Sequence, residues 1–191
     1  MTGAAGPNRA KQQRYARAHE RLQLALEYGF YIEAAMICES IISDRLHSHL
    51  HWRIELMGLS TLDEVLDRLA GMKMFRGRRP ELSLTKSSTL FALIKAVELD
   101  FTDLGKPHYQ GLPQRLDDWR GLRNRITHNI TYTRPSRKTY EEAFEAFMAA
   151  ARTCALEGQA LTGQLTNWDR AVRRWHEGAA RRRTAGGLEP G

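Results

Sequence analysis

Apolar residues recur three and four positions apart through most of this chain, and the strict alternation of a half-buried strand is almost absent. The spacing predicts a first helix from about Arg9 to Tyr28, closed by Gly29, with Leu22, Ala25 and Leu26 facing a core. A long second helix follows over Tyr31 to His51. Its residues Ala34, Ile37, Cys38, Ile41 and Ile42 form a broad apolar stripe suited to the centre of a bundle. Gly58 interrupts the pattern, and Ser60-Thr61-Leu62-Asp63-Glu64 offers a capping box for a third helix ending near Gly71.

Gly77-Arg78-Arg79-Pro80 reads as a basic turn, and Leu84 to Leu99, with Leu90, Leu93, Ile94 and Val97, as a fourth helix. The stretch from Asp100 to Pro113 holds two Gly and two Pro and reads as a loop. Pro113 suits the first turn of a fifth helix running to about Thr127, with Leu116, Trp119, Leu122 and Ile126 inward. A sixth helix starts after Pro135-Ser136 and carries Tyr140, Phe144, Phe147, Met148, Ala151 and Ala155 on one face. Gly158 and Gly163 predict an interruption before a last helix, Gln164 to Glu177. Only Asn129 to Thr133 has strand character, and no internal repeat is visible.

Short links between long amphipathic segments imply an all-α, antiparallel helical bundle over residues 9–160, with a basic amphipathic helix over 164–177 added at its C-terminal end. Residues 1–8 and the tail 178–191 are expected to be disordered.

Composition narrows the function classes. The 191 residues are 42% apolar, too many for a disordered chain, and two cysteines cannot build a disulfide scaffold. The N-terminus lacks the apolar core of a secretion signal, and no apolar run approaches the roughly 18 residues of a membrane span. A cytoplasmic chain without a membrane partner is expected. Its net charge of +7 sits at the two ends: residues 1–21 carry +4 and residues 169–191 carry +3, leaving the middle neutral. Basic ends attract polyanions through counterion release, and they serve solubility equally well.

One segment concentrates candidate chemistry: Asp117-Asp118-Trp119-Arg120-Gly121-Leu122-Arg123-Asn124-Arg125-Ile126-Thr127-His128-Asn129. Asn124 and His128 are four residues apart and share a helix face, with Arg123 about 100° round from Asn124. Leu122 and Ile126 point to the core, so the polar set is expected on the other flank. A fixed cation, a group that titrates near neutral pH and an orienting amide are the parts needed around one phosphate.

Arg123-Asn124-Arg125-Ile126-Thr127-His128 resembles the Arg-X4–6-His motif of the HEPN superfamily, small helical bundles common among toxin–antitoxin, phage-defence and CRISPR-associated ribonucleases. Asn124 stands where that motif often has Asn, Asp or His after the Arg, and Tyr28 to Leu46 looks like the long second helix of such proteins. The resemblance covers roughly residues 10–160. It implies a metal-independent endoribonuclease, a defence or toxin effector, whose site forms where two copies of the chain meet.

In that scheme Arg123 and His128 are catalytic, Asn124 assists, and an acidic residue of the long helix, Asp44 or Glu39, supports them. The products are a 2′,3′-cyclic phosphate and a 5′-OH. RNA, a second copy of the chain and an antitoxin or activator protein are the implied partners, and no cofactor is. A Tyr two residues after the His, which is adenylylated in some family members, is here Ile130. That departure counts against adenylylation as the control.

The same residues admit a plainer reading, a catalytically inactive module for dimerisation or for binding RNA, a nucleotide or a protein. Arg123 would then pair with Asp44 or Asp118, and His128 would sit at a helix C-terminus where a positive charge is favourable. A third reading is a nucleic-acid adaptor acting through its basic ends. Arg125, Arg173, Arg174, Arg181, Arg182 and Arg183 are the candidate phosphate contacts.

Elsewhere, His47, His49 and His51 read as solvated or interface histidines, with a helical metal site as the alternative. Trp168, Val172 and Trp175 read as a face packed on the bundle with the neighbouring arginines solvated, and Cys38 and Cys154 as buried thiols. Asn129-Ile130-Thr131 matches a glycosylation acceptor, without meaning in a cytoplasmic chain.

Overall fold

The structure, a computed structural model, describes residues 7–56, 58, 61–83, 88–104, 111–129 and 140–185. Every regular element among them is helical: α1 Pro7–Glu27, α2 Tyr31–His51, α3 Leu62–Gly71, α4 Leu90–Leu104, α5 Leu112–Asn129 and α6 Tyr140–Ala185. A π-helical turn, Trp52–Leu56, prolongs α2, and a short 3-10 turn, Lys73–Phe75, follows α3. None of these helices is long and apolar enough to cross a membrane.

Local signals explain where the helices start and stop. At the end of α1, Phe30 N–H donates to Ala25 O (2.7 Å) and Gly29 N–H to Leu26 O (3.3 Å), the paired closure of a Schellman motif. Its left-handed position is Gly29, at φ 75°, where a side chain would be strained. The chain therefore reverses within three residues and α2 returns along α1. Thr61 caps α3: its hydroxyl accepts from Glu64 N–H while the Glu64 carboxylate accepts from Thr61 N–H, the expected capping box.

The core is centred on α2, which packs against α1, α4 and α6 and touches α5, while α3 leans on α4. Leu22 and Ala25 of α1, Cys38, Ile42 and Leu46 of α2, Leu93, Ile94 and Val97 of α4, Leu116 and Trp119 of α5 and Leu165 and Trp168 of α6 form one buried cluster. Antiparallel neighbours are tied by polar contacts. Arg21 of α1 bonds Glu33 of α2 (2.6 Å), and Arg115 of α5 donates to Gln164 of α6 (2.6 Å). Lys95 of α4 is buried between Glu98 (2.9 Å) and Asp117 of α5 (3.2 Å). Burial alone would depress the Lys95 ammonium, but the two carboxylates outweigh it and raise its pKa.

Three expectations change. First, the interruption at Gly158 and Gly163 is not there. One helix runs unbroken from Tyr140 to Ala185, so the separate helix over 164–177 and the disordered start of the tail at 178 both give way to it. Gly158 serves packing instead: a Cβ there would stand 2.9 Å from Cys38 Cβ and 3.0 Å from the Trp119 ring. The glycine lets α2, α5 and α6 meet at one point, where Trp119 Nε1 donates to Cys154 O (2.8 Å).

Second, α2 and α6 run parallel, since Cys38 lies beside Gly158, His49 beside Asp169 and Arg53 beside His176. Third, α4 begins at Leu90 and continues to Leu104, six residues later at its start than the spacing predicts and into the expected loop. The expected disorder at residues 1–6 and 186–191 and the strand-like 130–133 lie outside the described residues, as does Ile130; the helix α1 already covers residues 7 and 8.

Candidate active site

Arg123 sits just past the middle of α5. The buried stripe of this helix is Leu112, Leu116, Trp119 and Ile126, and at 100° per residue Arg123 falls inside it, about 40° from Trp119. The expectation that the whole polar set leaves the core flank is thus corrected for Arg123, whose side chain is 17% exposed. What makes an inward arginine tolerable is Glu39 of α2, 29% exposed, whose carboxylate accepts from Arg123 Nη2. Arg123 Nε is buried with no acceptor among the described residues.

Asn124 is half-buried and His128 is exposed in the last turn. His128 follows Arg123 by five residues, so it lies about 140° round the helix and about 7.5 Å further along. Within one chain the guanidinium and the imidazole therefore face different sides of α5. Thr127 Oγ1 donates to the carbonyls of Arg123 and Asn124 (3.1 Å each), which ties this turn to its own backbone.

Asp44 is not part of this group. It lies five residues after Glu39 and so on another side of α2, where its carboxylate accepts from Tyr15 OH of α1 and stands 3.7 Å from Lys11 Nζ. Burial, the bond to Asp44 and that carboxylate's charge push the Tyr15 hydroxyl well above its ordinary pKa. The Arg45 guanidinium lies over the Tyr15 ring at 4.1 Å. Of the two acids expected to support the motif, the structure brings Glu39 to Arg123 and takes Asp44 away. Neither Asp44 nor Asp118 pairs with Arg123.

A second polar cluster, which sequence reasoning missed, joins the end of α2 to the later half of α6. His49 is fully buried, so the solvated reading of this histidine is corrected: its Nδ1 lies 3.2 Å from Asp169 Oδ1, and its ring packs 4.3 Å from Trp168. Burial pushes the Asp169 carboxyl up, but hydrogen bonding from His49 and the charge of Arg173 prevail and hold it below the ordinary range.

Arg173 bonds Asp169 (3.0 Å), donates to Ser48 O (3.3 Å) and lies over the Trp52 ring at 4.8 Å. It therefore ties α6 to the end of α2, with 30% of its side chain exposed. The signal available in the sequence was an acid and a base four residues apart on one helix, too common to single out. His47 Nε2 lies 3.0 Å from Ser83 O, and His51 is exposed. Among the described residues no group of three His, Cys, Asp or Glu side chains is placed to hold a metal ion.

Of the other candidate phosphate contacts, Arg125 and Arg174 are exposed, and Arg181, Arg182 and Arg183 lie on the last turns of α6, their side chains outside the described set. Trp168 and Val172 are buried as expected, and Trp175 is partly exposed. Both thiols are buried. Burial lifts Cys38 to about 12 and Cys154 to about 11, far from a reactive thiolate. Against known proteins, no family model, no curated protein and no solved structure matches this chain.

Proposed function

We propose that this chain is a metal-independent endoribonuclease of the HEPN type, acting as a defence or toxin effector, with Arg123 and His128 as its catalytic pair. The observation that carries the reading is Arg123 itself, a mostly buried guanidinium anchored by Glu39 five residues before an exposed histidine on the same helix. A guanidinium fixed in this way holds a phosphate without losing side-chain freedom on binding, and it stabilises the extra charge that develops in phosphoryl transfer. RNA supplies its own nucleophile, the 2′-OH. His128 takes that proton, the 2′-oxygen attacks the phosphorus, and the bond to the 5′-oxygen breaks as that oxygen is protonated. Asn124, on the His128 side, orients the phosphate or the imidazole.

Because Arg123 and His128 diverge within one chain, the reading requires a second copy to bring a complementary pair across the cleft. Exposed Arg125 and Arg174 extend phosphate contacts that strengthen binding without choosing sequence. An antitoxin or activator protein completes the expected partners.

A second reading, a non-catalytic binding module, is favoured by the same ion pair, which by itself suffices to tie α5 to α2. Product analysis separates the two. In EDTA, wild-type protein is expected to cut labelled single-stranded RNA to 2′,3′-cyclic phosphate and 5′-OH ends and to leave a 2′-deoxy version intact. Binding of RNA without such ends establishes the module instead.

A further inference from the structure

The basic turn after α3 has no part in the proposed site, yet it is firmly built. From Lys73 to Ser83 the chain holds four bases and one acid, Glu81. Its backbone closes on itself: Arg76 N–H donates to Lys73 O (3.3 Å), Gly77 N–H to Ala70 O (3.1 Å) and Arg78 N–H to Phe75 O (2.9 Å). Arg79 fastens the turn to α3, donating to Asp67 (2.8 Å) and Asp63 (2.9 Å), which stand one helical turn apart. Lys73, Arg76 and Arg78 are exposed, and none of the three has an ion pair among the described residues.

Arg76 takes the left-handed conformation, φ 49° and ψ 42°, where glycine or asparagine is the usual occupant. The fold thus holds a guanidinium outward at a position where a long side chain costs stability. A groove of about 440 Å³ opens beside it, lined by Met74, Phe75, Arg76, Arg78, Arg79 and Pro80. Met74 is 48% exposed. Free cations therefore border an apolar slot on a turn that is already ordered, so little backbone freedom is lost when an anion binds.

The groove adjoins the helix that carries the motif. Phe75 packs on Phe91 of α4, with 5.4 Å between ring centroids, and the Arg120 guanidinium of α5 lies over Phe91 at 4.7 Å. Helices α4 and α5 are antiparallel, since Lys95 meets Asp117 and Phe91 meets Arg120. At 100° per residue Asp117, Arg120, Asn124 and His128 fall within about 80° of one another. Asp117 and Arg120 look toward α4, and Asn124 and His128 continue that side of α5 past the start of α4 at Leu90. Arg120 to His128 is about 12 Å along the helix.

We propose that the turn Lys73–Pro80 binds single-stranded RNA, Arg76 and Arg78 holding backbone phosphates while Met74, Phe75 and Pro80 take the face of a base. Cations interleaved with apolar surface match the phosphates and bases of such a strand. An acidic peptide satisfies the cations but brings nothing planar to the slot, and a concave slot does not lie flat on a membrane. The acids nearby are engaged: Asp63 and Asp67 by Arg79, and Asp117 by Lys95 and Arg120. The binding stands apart from the cleavage reading. Only one consequence rests on that reading: a strand seated in the groove leads along α5 to His128.

The test measures binding of a fluorescein-labelled single-stranded RNA to the full chain by anisotropy, in EDTA at several salt concentrations. His128→Ala is the parent throughout, so that the RNA stays whole. Arg76→Gly combined with Arg78→Gln is expected to raise the dissociation constant at least about tenfold. It is also expected to lower the slope of log affinity against log salt by about 1.4, two lost contacts at about 0.7 each. Arg152→Gln, which removes an exposed charge from α6, is expected to change the affinity less than about twofold. Because Arg76→Gly relieves the left-handed position, the double variant is expected to melt no lower than its parent, which separates lost binding from lost structure. Should the double variant not fold, Arg78→Gln alone reads the same contact. RNA binding that depends on the turn, in a chain whose His128 form cuts nothing, contradicts the cleavage reading and leaves this inference standing. No RNA binding by the parent, a loss no larger than that of R152Q, or tighter binding of a polyglutamate peptide than of RNA at the same salt overturns the inference.

Discussion

A few residues carry more of this structure than their types announce. Gly158 is one, since its missing side chain sets how closely three helices approach. Gly158→Val is expected to destabilise the fold by about 1–3 kcal/mol through overpacking. Gly163, five residues on in the same helix, has open space where a Cβ would go, so Gly163→Ala is expected to gain up to about 1 kcal/mol from helix propensity. Urea unfolding of both variants checks the opposite signs.

Asp169 is another such residue. Its folded carboxyl titrates below the ordinary carboxylate value, so the stability it contributes is fully present above the unfolded pKa of about 3.9 and is lost as pH falls through the lower folded value. Asp169→Asn is expected to cost about 1–3 kcal/mol at neutral pH, because His49 and Arg173 lose a charged acceptor. The variant's stability is also expected to fall less steeply on acidification, which melting temperatures measured from neutral to acid pH compare directly.

At the scale of elements, what was legible in the sequence is what local chemistry decides. The bounds of α2 match the apolar stripe from Tyr31 to His51, and the start of α3 matches its capping box, because each signal is contained within a few residues. Thr61→Ala is expected to cost about 1 kcal/mol and to raise amide exchange in Leu62–Gly71 before the rest of the chain.

What was not legible is what the partner helix decides. Gly158 and Gly163 look like a break when read alone, and only the proximity of Cys38 and Trp119 shows why one of them sits inside a continuous helix. Choosing between Glu39 and Asp44 likewise needed the rotation of α2 against α5, since both acids lie on one helix and sequence does not say which face meets the motif. The burial of His49 depended on Asp169, 120 positions away.

At the scale of the whole molecule, the parallel run of α2 and α6 organises the account. It fixes the His49–Asp169 lock at one end and leaves the first turns of α6, with exposed Tyr140 and Phe144, at the other, the end where α5 and its His128 also finish. The proposed activity needs a titratable group free to meet RNA and a cation held in place, and the pair His128 and Arg123 divides those roles by exposure. The most direct test is the rate of RNA cleavage in EDTA by wild type and by His128→Ala, which removes an exposed side chain without a hydrogen bond or ion pair among the described residues and should fold as wild type does. The account predicts cleavage by wild type and a loss of at least about a hundredfold in the variant, with helical content and self-association unchanged. Cleavage that persists at the wild-type rate in His128→Ala, or its absence from both proteins while each still binds RNA, contradicts it.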